Sequence, residues 1–145
     1  MTSISQNVRF HAVVPDDVEF NHPAGAALIR RLSTDIASSG WVVDEFDNWR
    51  DCGWSVICRR GTSVLDVSVA QIQTNEWMLQ VNAHRIPGFL GRLFGAEQSA
   101  TPADVYDLAI DIHRALASAE WLGRPLWRWD GFPEEDHSTP EPRRF

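Results

Sequence analysis

Trp41-Val-Val-Asp-Glu-Phe-Asp-Asn-Trp-Arg50, Trp54-Ser-Val-Ile-Cys-Arg-Arg60, Ser63-Val-Leu-Asp-Val-Ser-Val-Ala-Gln-Ile72 and Glu76-Trp-Met-Leu-Gln-Val-Asn-Ala-His-Arg-Ile86 decide the fold. In these four stretches apolar residues recur with period 2, and Asp-Cys-Gly, Gly-Thr and Thr-Asn turn signals separate them. Connections this short force antiparallel neighbours, so 41–50, 54–60, 63–72 and 76–86 read as a four-stranded meander. Over 63–72 both faces carry apolar residues, the mark of a central strand. Over 76–86 the faces separate: Trp77, Leu79, Val81 and Ala83 on one, Gln80, Asn82 and His84 on the other.

Outward from the meander, the period shifts to that of helices. Upstream, Pro23 stands where a first helical residue belongs, and Ala24, Ala27, Leu28, Leu32 and Ile36 form an apolar stripe stopped by Ser38-Ser39-Gly40. Before it, Val8, Phe10, Ala12 and Val14 alternate as a first strand ended by Pro15-Asp16-Asp17. Downstream, Thr101-Pro102-Ala103-Asp104 reads as a capping box with Asp in place of Glu, and opens a helix whose stripe is Val105, Leu108, Ala109, Ile112, Leu116 and Ala119. Leu126 to Trp129 suggest a short extended segment. The sum is an α+β chain, β-α-β4-α, with a curved antiparallel sheet packed on two helices. Residues 1–133 form one domain, and the acidic tail 134–145 is expected to be disordered.

By element order alone, over about residues 8 to 122, this plan resembles the TATA-box-binding-protein-like and helix-grip folds. That resemblance implies a curved sheet around a long C-terminal helix, with a concave face or a cavity. It carries no motif, and no nucleic-acid function transfers with it.

Composition narrows the function. At 145 residues, 43% hydrophobic and 23% charged, the chain has the size and make-up of a single globular domain. All thirteen basic residues are arginine, yet the net charge is −7, which opposes binding to a phosphate backbone, so no nucleic-acid partner is expected. No apolar run is long enough for a membrane helix and the first residues lack signal-peptide features, so the expectation is a cytoplasmic protein without a membrane partner. Cys52 and Cys58 match neither a disulfide framework nor a zinc pattern, and the scattered histidines show no metal spacing, so neither a cofactor nor a metal site is expected.

Several constellations remain. Asp44 and Asp47 lie in an acidic segment that would steer toward a basic partner. Seven tryptophans are present, and Trp127 with Trp129, flanking Arg128, have the composition of a binding hot spot, unless they close the core. Phe89, Leu90, Leu93 and Phe94 lie between glycines, either as a partner-binding knob or as a cap on the core. Gln80, Asn82 and His84 would form a polar ligand patch if their face is concave. Asp104, Asp107 and Asp111, with Arg114 three residues beyond Asp111, read as a solvated, partly charge-compensated helix face. Two functions follow as expectations. The first is a non-enzymatic module, of adaptor, chaperone or immunity type, that binds a basic protein through an acidic, tryptophan-bearing surface. The second is a small-ligand-binding or enzymatic domain with a pocket between sheet and C-terminal helix. Pairing of two copies is a third possibility.

Overall fold

A computed structural model describes residues 4–84 and 100–145. The chain is α+β: strand β1 (Ser5–His11), helix α1 (Ala26–Ser38), strands β2 (Val42–Val43), β3 (Asp47–Trp49), β4 (Gly53–Arg60), β5 (Ser63–Gln73) and β6 (Glu76–Ala83), helix α2 (Pro102–Ser118) and strand β7 (Gly123–Trp129). All pairings in the open sheet are antiparallel, in the order β2-β4-β5-β6-β1-β7, with β3 also on β4. Among the described residues no helix is long and apolar enough to cross a membrane.

The anticipated first meander strand is divided. Val42 and Val43 pair with Arg59 and Cys58, whereas Asp47, Asn48 and Trp49 pair with Ser55, Trp54 and Gly53. The register slips by one residue between the two, as a bulge requires. The slip lets Val43 and Phe46, of opposite parity, both pack against the core. Beyond the anticipated plan, β7 adds a full strand outside β1. The first strand also starts earlier than its apolar pattern suggests, because Ser5, Gln6 and Asn7 are held between β6 and β7 and are buried despite their polarity.

Both helices cover one face of the sheet. Val8, Phe10, Val56, Val67, Val69, Leu79 and Val81 meet Leu28, Leu32, Ile36, Val105, Leu108 and Ile112 there, all at most 2% exposed. Thr101 and Asp104 cap α2 reciprocally, with Asp104 N donating to Thr101 Oγ1 and Thr101 N to Asp104 Oδ2, as the capping box anticipates. α1 begins at Ala26, three residues later than Pro23, with its N-cap Gly25 in the left-handed region (φ 109°), where a side chain would also strike the Trp77 ring. Residues 12–25 instead form a loop fixed by Asp17. Its carboxylate accepts from Arg30 Nε and Nη2 at 2.9 and 3.0 Å and from the backbone of Glu19 and Phe20 at 3.0 Å.

The acidic tail, expected to be disordered, lies along the outer edge of β7. Trp127 and Thr139 exchange backbone hydrogen bonds, the Trp129 indole donates to Arg143 O at 2.8 Å, and Phe145 meets the Trp129 ring edge-on.

A Cβ on Gly53 would sit 1.9 Å from the Val69 carbonyl oxygen, backbone that cannot give way. Gly53→Ala should therefore cost about 3 kcal/mol or more in urea denaturation; a cost under about 1 kcal/mol contradicts the β4–β5 register. The Arg30 guanidinium and two backbone N–H groups hold the Asp17 carboxyl well below its ordinary 3.8. A carboxyl depressed by folding stabilises the protein above its unfolded value and loses that contribution as pH falls toward its folded one. The melting-temperature gap between wild type and Asp17→Asn should thus be constant above about pH 5 and shrink below about pH 4. A gap independent of pH down to 3 excludes the ion pair as its source.

Candidate functional site

Strand alternation leaves the sheet face opposite the helices with its own set of side chains. Across it runs one row of cross-strand neighbours, Asp47, Ser55, Ser68, Gln80, Asn7 and Arg128, one from each of β3, β4, β5, β6, β1 and β7. Beside it lies a second row, Ile57, Asp66, Asn82 and Ser5. The floor over β4 and β5 lies low because Ser55 and Ser68, paired across the two strands, are small. The bulged edge supplies a taller rim of Asp44, Glu45, Asp47, Trp49 and Arg50. Small floor and tall rim together make a groove of about 590 Å³ that also takes in Ile57, Asp66, Gln80 and Asn82.

Four carboxylates line this groove. Asp44 is compensated by Arg59 at 3.1 Å. Asp66 receives His84 Nδ1 at 2.9 Å, with the amide of Asn82 at 3.5 Å. Glu45 and Asp47 are exposed at the rim and have no salt bridge among the described residues. On the floor, Ser68 is only 6% exposed, and its hydroxyl has no hydrogen-bond partner among the described residues. The arrangement is a negatively charged trough with one indole wall. Among the described residues no three His, Cys, Asp or Glu side chains are grouped to hold a metal.

The anticipated residues fare unequally. Gln80 and Asn82 do line a concavity, and His84 reaches it through Asp66. That concavity lies on the wrong side for a pocket between sheet and α2. Among the described residues the helix-facing space is filled by Leu79, Val81, Leu108 and Ile112, and alternation turns Gln80 and Asn82 away from it. Asp44 and Asp47 stand on the rim. Trp127 must be withdrawn as a partner-binding residue: it is fully buried, and its indole donates to His113 Nδ1 at 3.1 Å. Burial lowers the His113 pKa, which favours the neutral imidazole that can accept this bond. Trp129 is half-buried under Arg143 and Phe145. Phe89, Leu90 and Phe94 lie outside the described residues. Asp104, Asp107 and Asp111 are not merely solvated: Asp104 caps α2, Asp107 holds Arg60 at 2.9 Å, and Asp111 accepts the Trp41 indole at 2.8 Å.

Sequence reading missed Trp49, Arg50, Ser55, Ser68 and Asp66. Asp66 and Ser68 were hidden inside a strand that looked apolar on both faces. A period-2 count from Leu65, Val67 and Val69 puts Asp66 and Ser68 on the face opposite those residues, but does not say which face is open. No protein-family model matches the chain, and no curated protein matches its sequence.

Thiol chemistry supplies a direct check of the two faces. Cys52 is exposed, while Cys58 points into the core, where burial and the nearby Asp66 and Asp44 charges push its thiol up to about 12. Ellman's reagent should titrate one thiol in the native protein and two in denaturant. Rapid native labelling of both would place Cys58, and with it the whole of β4, the other way round.

Proposed function

We propose that the protein is a binding module whose open sheet face takes a cationic segment of a partner protein. The observation that carries this reading is the groove itself, in which four carboxylates, one indole wall and a floor of small polar side chains come together from the β2–β3 connection and strands β3 to β6. Opposite charge steers encounter and fixes register, while the concavity supplies contact area. The reading draws on Asp44 and Asp47, the acidic residues proposed from the sequence, as part of the groove lining. Its tryptophan changes from Trp127 or Trp129 to Trp49.

Titration of the full chain with an arginine- and lysine-rich peptide, followed calorimetrically, tests the reading. Binding should weaken as salt rises from 50 to 200 mM, and the rim variant Glu45→Gln/Asp47→Asn should lose about tenfold in affinity, equivalent to about 1.4 kcal/mol. No binding at low ionic strength, or equal binding by that variant, overturns it.

A further inference from the structure

We infer that the groove is a seat for a guanidinium group, an arginine side chain of the partner, and that Arg50 is its resident competitor. This inference deepens the proposed function and rests on it. The chain itself shows what a seated guanidinium looks like. Arg60 stacks over the Trp41 ring at 4.2 Å while Nη2 meets Asp107 at 2.9 Å. Arg30 stacks over the Phe46 ring at 5.1 Å while holding Asp17 at 2.9 Å. In each case a flat cation lies on a ring and its edge meets a carboxylate, the two interactions guanidinium makes better than ammonium.

The Trp49 site has the same ingredients but is incompletely filled. Arg50 hangs over the ring at 5.8 Å, is exposed, and forms no salt bridge among the described residues, although four carboxylates line the same groove. Five tryptophans donate their indole N–H, whereas those of Trp49 and Trp121 have no hydrogen-bond partner among the described residues, and of these two only Trp49 lines the groove. On the floor, the hydroxyl of Ser68 is also unpartnered in a residue that is 94% buried, since 6% is exposed. The side chains of Ser55 and Gln80 on the same row form no hydrogen bond among the described residues either. A ring wall, carboxylates without a salt bridge and a floor of hydroxyl and amide oxygens able to accept match a planar group with five N–H bonds. They match less well a compact, strongly hydrated ammonium with three. Arg50 stays on the rim because its backbone is fixed in the 50–51 turn, at φ 53° and 57°, and a ligand side chain entering from above has no such tether.

The test compares acetyl-Gly-Arg-Gly-Arg-Gly-Arg-amide with its lysine twin on the full chain by calorimetry at low salt. The arginine peptide should bind about fivefold more tightly. Trp49→Ala should remove that preference and leave charge-driven binding of both peptides, while Trp49→Phe should restore part of it. Arg50→Ala should tighten the arginine peptide by about threefold, since a tethered competitor is removed. Circular dichroism of each variant checks that the sheet is intact. Equal affinities for the twins, or a preference that survives Trp49→Ala, would refute the guanidinium seat while sparing the acidic groove; unchanged affinity in Arg50→Ala refutes Arg50 as competitor. If neither twin binds, both the seat and the proposed function fall.

Discussion

A buried indole must deliver its N–H to an acceptor, and in this chain that demand ties the layers together. Trp41 donates to Asp111 on α2, Trp54 to Pro23 O and Trp77 to Ala12 O at the two ends of the 12–25 loop, Trp127 to His113 on α2, and Trp129 to Arg143 O in the tail. Each ring contributes a large apolar surface to the core or its margin, and each N–H fixes which neighbour it packs against. Hydrophobic burial alone would hold the helices on the sheet but would not set their position. The indole bonds do that, because a shift of α2 along its axis would strand both Trp41 and Trp127 with unpaired donors at an estimated cost of about 1–3 kcal/mol each.

Charge is distributed by the same logic. Arg60 and Arg30 are each bound twice, once on an aromatic ring and once on a carboxylate. The groove repeats this chemistry on the open face and leaves it unfinished. Its hollow is as much a matter of what is missing as of what is present: Ser55 and Ser68 face each other on β4 and β5, and larger side chains there would fill the floor.

Much of the fold could be read from the residues because local signals and long-range pairing agree. Thr101-Pro102-Ala103-Asp104 specifies its helix start within four residues, and the Gly61 and Asn75 turns fix β4–β5–β6 by their length. Legibility ends where the decision is made at a distance. The bulge between Val43 and Asp47 answers to the core's need for both Val43 and Phe46. The burial of Ser5, Gln6 and Asn7 depends on β7 arriving more than a hundred residues later. The site suffered most, because Trp49, Trp127 and Trp129 have similar composition around them and only the pairing partners separate wall, core and edge.

An open sheet ends in two rows of backbone donors and acceptors, and here neither row is left as a straight, continuous ladder. On one side the slip between β2 and β3 breaks the edge after two residues. On the other, Pro125 removes a donor from the row that faces away from β1, and Thr139 occupies the next one. Edge-to-edge addition of strands from another copy would need such a ladder, so the shape of both margins works against it in a chain rich in aromatic and β-branched strands.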